Sequence, residues 1–188
     1  MRTRIFFSLT FFFLFLSQVF VYAETKPIGR GARFPYVTFQ DNLSKDERSY
    51  LGLSRKKDFS LKDIDGTLFL IEVFSTYCTS CPKNVPVLND VYSAIRNDPG
   101  LKGKVKLFSI AVGNTGNEAE SFKKEYKILY PVLTDIHFTA HKALGNPRVP
   151  YTILIRRTTK GTIVVDTHQG VIDSTDALLR TIRGFMFK

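Results

Sequence analysis

The hydrophobic pattern of this chain changes character several times along its length. Residues 5–22, IFFSLTFFFLFLSQVFVY, are apolar with a few small polar positions, follow the basic MRTR start, and run into VYA. That layout predicts a secretory signal peptide cut after Ala23. An uncleaved anchor is the alternative, since the run sits near the lower end of the roughly 17–25 residues that span a bilayer. Residues 24–57 show no sustained period and predict an irregular lead-in with one edge strand at 36–40. FSLKDIDG (59–66) alternates and stops at Asp65-Gly66, a turn signal. TLFLIEVF (67–74) is nearly continuous in apolar and β-branched residues, as a strand buried on both faces must be, with Glu72 as its polar exception.

Beyond residue 81 the period becomes helical. Val87, Leu88, Val91 and Ile95 recur at helical spacing up to the NDPG stop. KVKLFSIAV (104–112) predicts a second buried strand, EAESFKKEYKI (118–128) an amphipathic helix, YPVLTD an extended piece, and FTAHKAL a short helix. YTILIRR (151–157) and TIVVDTHQG flank the TTKG turn as two strands. DSTDALLRTIRGF closes the chain as a helix with Asp or Ser at its cap. The resulting order, strand–helix–strand–helix–strand–strand–helix, predicts an α/β domain with parallel central strands and an antiparallel final hairpin.

The 188 residues, 44% hydrophobic and 23% charged, suit one domain after a leader. The formal charge is +10, or +8 once Arg2 and Arg4 leave with residues 1–23. Such a surface attracts anionic membranes or acidic proteins. The basic residues are scattered without an aromatic-interleaved stripe, which argues against nucleic-acid binding.

The only cysteines, Cys78 and Cys81, stand two residues apart in STYCTSCPKNVP. An exported chain meets an oxidising compartment, but a staple this short constrains the unfolded chain little. Zinc needs further Cys or His ligands, and there is no other cysteine. A redox pair remains: Cys78 falls just past a buried strand and at the start of a predicted helix, where amide N–H groups favour a thiolate, and Cys81 one turn on can displace a mixed disulfide.

At this point FSLKDIDGTLFLIEVFSTYCTSCPKNVPVL resembles the start of a thioredoxin-like domain of the TlpA/ResA type. The resemblance continues through FSIAVGNTGNEAESFKKEYKILYPVLTD, HKALGNPRVPYTILI and KGTIVVDTHQGVI, and covers roughly residue 58 to the end. It implies a thioredoxin fold, a central mixed sheet flanked by helices, as domain 58–188 behind a 24–57 lead-in. It also implies thiol–disulfide oxidoreductase activity with Cys78 as attacking and Cys81 as resolving sulfur. Pro86 matches the proline of the active-site helix. Val149-Pro150 matches a cis-proline loop beside the cysteines, where a substrate chain pairs in extended form. Tyr77, Thr79 and Ser80 occupy the other substrate-contact positions. Glu72, six residues before Cys78, takes the place of a buried acid that moves protons.

This chain departs from the pattern at Tyr77, where a tryptophan is usual, at Thr79-Ser80, where many relatives carry a proline, and at Asn84, where many carry glutamate. No bound cofactor or metal is implied. Protein thiols and disulfides are the expected partners, with a membrane electron donor, an extracytoplasmic location, and membrane contact only through residues 1–23 if uncleaved. Reduction of exported proteins, as in cytochrome c maturation, is the leading function. The alternatives are a disulfide oxidase or isomerase and a non-enzymatic module that binds a partner or a metal. A peroxidase pattern would need Pro and Thr where Ile71 and Ser75 stand. His137 and His141, with Asp135 nearby, are read as surface packing rather than as ligands. His168 is read as non-catalytic.

Overall fold

The computed structural model describes residues 26–54 and 57–187; the expected leader at 1–23 lies outside them. Two strands, β3 (Leu68–Phe74) and β4 (Val105–Val112), form the centre, and every residue in both is buried. They pair in parallel, and β5 (Val132–Asp135) continues the parallel set. On the other side β6 (Tyr151–Thr158) runs antiparallel to β3, and β7 (Gly161–Gln169) antiparallel to β6. The sheet order is therefore β5-β4-β3-β6-β7. This is the sheet, parallel at its centre with an antiparallel final hairpin, that the strand order predicts, and the mixed thioredoxin type that the resemblance implies.

Alternation along β3 divides the core in two. Leu68, Leu70 and Phe74 face one side, against Leu88, Val91 and Ile95 of α2 (Val85–Asn97) and Leu179 and Ile182 of α5 (Thr175–Met186). Phe69, Ile71 and Val73 face the other, against Phe108, Ile110, Ile153 and Ile155. Ser174 caps α5, its hydroxyl accepting from the Ala177 amide. Among the described residues no helix is long and apolar enough to cross a membrane.

The lead-in is more ordered than its sequence predicts. Its strand shortens to β1 (Thr38–Phe39), which pairs with β2 (Phe59–Ser60) outside the main sheet. It also carries a helix, α1 (Lys45–Leu51), at a place read as irregular. The signal was present as Ser44-x-x-Glu47: the Ser44 hydroxyl accepts from the Glu47 amide at 3.2 Å, and the Glu47 carboxylate accepts from the Ser44 amide at 2.9 Å. Gly52 ends the helix at φ +78°, and any Cβ there would strike the Asp65 side chain. Phe34, Val37, Phe39, Leu43 and Leu51 from this segment complete the second core layer. Each such burial is worth about 1.5–3 kcal/mol.

Helix α1 also closes a sheet edge. Strand β5 pairs with β4 only from Ser109 onward. The Leu107 amide lies before that point and donates instead to the Tyr50 hydroxyl at 2.9 Å. Tyr50→Phe keeps the ring and its edge-on contact with Tyr92 at 5.0 Å but orphans this amide. We expect a loss of about 1–3 kcal/mol of stability in urea unfolding; an unchanged midpoint would show that water serves the amide.

Candidate redox site

The site forms where β3 ends. After Phe74 the chain turns through Ser75–Tyr77, and the buried side chain of Asn114, from the loop after β4, holds that turn. Its Oδ1 accepts the Thr76 amide at 2.9 Å and its Nδ2 donates to the Thr76 hydroxyl at 2.6 Å. The Cys78 amide then donates to the Ser75 carbonyl at 3.1 Å. Cys78 and Cys81 are joined to each other as a disulfide. Cys81 is 2% exposed, whereas Cys78 is only partly covered. The two sulfurs thus differ in access, and Cys78 is the one an incoming chain can reach.

Cys81 begins a 3₁₀ turn, Cys81–Asn84, and α2 starts only at Val85 with Pro86 in its first turn. Cys78 is therefore further from the α-helix than the sequence spacing predicts. The amide that serves its sulfur is that of Cys81, 3.2 Å from Cys78 Sγ. An N–H aimed at that sulfur favours the thiolate once the pair is reduced. The Ser80 hydroxyl lies 3.5 Å from the same sulfur.

The Val149–Pro150 peptide is cis, as the resemblance implies, and the Val149 carbonyl oxygen is 3.7 Å from Cys78 Sγ. Gly170 and Gln169 fix the turn: the Gly170 amide donates to the Pro150 carbonyl at 2.9 Å, and Gln169 Nε2 to the Arg148 and Pro150 carbonyls at 2.7 and 3.0 Å. Tyr77 projects from the other side, 72% exposed. Its hydroxyl donates to Glu118, the acid that also caps α3 (Gly116–Glu125) with Thr115. This contact holds the Glu118 carboxyl below its ordinary range and raises the Tyr77 phenol. Thr79 is exposed beside the pair.

Glu72 is 3% exposed, below the turn that carries the cysteines. Asn84 Nδ2 donates to Glu72 Oε1 at 2.8 Å, and the Tyr130 hydroxyl lies 3.5 Å from Oε2. Burial pushes the Glu72 carboxyl up to about 7, against the lowering pull of both donors. Burial and the facing carboxylate together push the Tyr130 phenol well above its usual range.

Asn84, noted from sequence only as a departure, is fully buried and ties the site together: its Oδ1 accepts the Ile172 amide at 2.8 Å. Asn84, Asn114 and Tyr130 were not among the expected site residues. Their signal was a polar group inside an apolar run, visible for Tyr130 in ILYPVL and absent for the two asparagines, which read as loop residues.

The histidines stand apart. Asp135 caps α4 (Thr139–Ala143), accepting the Ala140 and His141 amides at 3.1 and 2.8 Å, and His137 lies before that helix. His141 Nε2 is 2.9 Å from the Pro147 carbonyl, and His168 Nε2 is 2.9 Å from that of Val171. Among the described residues no three His, Cys, Asp or Glu side chains gather as a metal site.

A mixed sheet with a bonded CxxC pair after its central strand and a cis-proline against the outer sulfur defines a thioredoxin-fold thiol–disulfide oxidoreductase. The chain belongs to the AhpC/TSA family, whose model matches residues 42–174 and so takes in helix α1. The thiol-disulfide oxidoreductase ResA of Bacillus cereus is 25% identical over 130 residues, which cover 64% of this chain and 72% of the relative.

Two solved structures share the fold. The thioredoxin domain of a thiol-disulfide oxidoreductase from Bacteroides vulgatus matches with a TM-score of 0.63 at 17% identity, covering 85% of this chain and 99% of that one. StoA from Bacillus subtilis matches with a TM-score of 0.56 at 18% identity, covering 78% and 96%. The peroxidatic proline position is held by Ile71, sealed inside β3.

Proposed function

We propose that this oxidoreductase is exported by residues 1–23 and reduces disulfides in extracytoplasmic proteins, in the manner of cytochrome c maturation. Reduced Cys78 attacks a substrate disulfide through its thiolate. One substrate sulfur leaves as a thiolate, which takes a proton from water, and the other stays bonded to Cys78. Cys81 gives its proton to Glu72 and attacks the Cys78 sulfur; the bond between Cys78 and the substrate breaks, and the second substrate sulfur leaves as a thiolate that takes a proton from water. The protein ends as the Cys78–Cys81 disulfide, and two electrons have passed to the substrate. Val149 and Pro150 align the substrate backbone, with Tyr77, Thr79 and Ser80 flanking it. A membrane protein returns the electrons.

The observation that carries this reading is the inequality of the two sulfurs: Cys78 is reachable and faces the Val149 carbonyl, while Cys81 is buried. Equilibration with glutathione tests the direction. A reductase should show a potential near that of thioredoxin, about −270 mV, and a value near the roughly −120 mV of DsbA would make the protein an oxidase.

A further inference from the structure

Directly opposed residues on adjacent strands point to one face of a sheet, with Cβ atoms about 4.5–5.5 Å apart. Glu72 of β3 is opposed by Ser109 on β4 and by Thr152 on β6. The three form a polar row inside an apolar layer: Ser109 is 0% exposed, and Glu72 and Thr152 are 3% exposed. Among the described residues, the Ser109 and Thr152 hydroxyls are also the buried side-chain oxygens without a hydrogen-bond partner. Buried hydroxyls are nearly always paired. Two orphans on the two sides of one buried carboxyl call for a shared cause.

The Glu72 carboxylate has acceptor sites to spare. An ionised carboxylate offers about four acceptor sites. Asn84 fills one at 2.8 Å, and Tyr130, at 3.5 Å, is at the outer limit of a second. We infer that Ser109 and Thr152 are positioning residues for Glu72, whose hydroxyls donate to its carboxylate when it ionises, directly or through one internal water. A hydroxyl also accepts, so the same two groups serve the protonated acid after a simple rotation of their O–H bonds. Neither hydroxyl is within bonding distance of Glu72 in this structure, so direct donation needs a turn about its own χ1, whereas the route through a water leaves the sheet as it stands.

This inference rests on the reading of Glu72 as the proton acceptor for Cys81. Tyr130 is the titratable side chain in contact with Glu72, and the turn that carries Asn84 also carries the cysteines. One strand beyond Thr152 in the same row stands exposed His168. The opposite end of the row is closed by Val132 of β5.

The test is a carbon-13 NMR titration of the Glu72 carboxyl in the oxidised protein and in Thr152→Val, Thr152→Ser and Ser109→Ala. Thr152→Val should raise the Glu72 midpoint by about one pH unit, a tenfold loss of ionisation. Ser109→Ala should act in the same direction, and Thr152→Ser, which keeps the hydroxyl, should restore the original midpoint. Urea unfolding adds a readout that packing alone would not move: Thr152→Val should lose more stability above the Glu72 midpoint than below it, because a bond to the charged carboxylate is the stronger one. An unmoved midpoint, with Thr152→Val as stable as the parent or more so at every pH, overturns the inference. Should Thr152→Val not fold, Ser109→Ala carries the same decision. Glu72→Gln separates the two levels. If it leaves the pH profile of exchange unchanged, the proton role of Glu72 fails, while the carboxyl titration still judges the hydroxyls.

Discussion

Cys81→Ser should abolish turnover and leave a covalent complex with substrate that survives non-reducing electrophoresis. The reason is the division of labour between the sulfurs. Cys78, partly exposed and 3.7 Å from the Val149 carbonyl, can still attack. The sulfur that would release the substrate, 2% exposed behind it, has been replaced by a hydroxyl that cannot displace a disulfide. Cys78→Ser should give neither turnover nor complex, because a buried Cys81 cannot meet a folded protein substrate. Mass spectrometry after brief alkylation of the reduced parent supplies an independent check, with label expected on Cys78 first. A trapped complex in Cys78→Ser instead would exchange the two roles. Full function in Cys78→Ser would favour a binding module over an enzyme.

The strands that carry this site were legible because burial on both faces leaves a plain trace. LFLIEV and KLFSIAV have little room for polar groups, so the exception read in the first, Glu72, marks a place where something other than packing is at work; Lys106 and Ser109, also buried, passed unremarked in the second. Pro150 was legible through the resemblance, since a proline ahead of a strand has no local mark of its isomer. Helix α1 was missed for a different reason. Its seven residues are short and mostly polar, and they are held by a cap and by contacts with distant parts of the chain: Tyr50 with Leu107, Glu47 with Lys123. A helix that draws its stability from tertiary partners shows a weak periodic signal. Asn84 and Asn114 were hidden in the same way. Each looks like an ordinary turn residue until the fold brings Glu72, Ile172 or Thr76 against it.

Glu72→Gln should make the protein more stable at neutral and alkaline pH and slower in exchange. The folded carboxyl titrates at about 7 against an ordinary 4.5, because burial penalises its charged form. Below pH 4.5 both folded and unfolded chains hold the proton, and the group costs nothing. Between 4.5 and 7 the unfolded chain releases it while the folded chain keeps it, so stability falls as pH rises through that window and levels off above it. At 1.36 kcal/mol for each pH unit, the loss at pH 8 comes to about 3 kcal/mol. Glutamine has nearly the same shape, keeps an oxygen for Asn84, and does not ionise. The variant should therefore match the parent in urea at pH 4 and exceed it by up to that amount at pH 8.

Removing a general base should in the same protein slow the resolving step by about 10²-fold or more, read by stopped-flow exchange with a model disulfide. Equal stability of parent and variant at both pH values would mean that Glu72 ionises as freely as a surface acid, and the proton route through it would lose its physical basis. Greater stability with unchanged exchange would make the buried carboxylate a cost without a catalytic return. The expected pairing of a more stable fold with a slower reaction follows from one cause: the chain keeps an acid where solvent cannot reach it, and only there does it titrate in the range where thiols exchange protons.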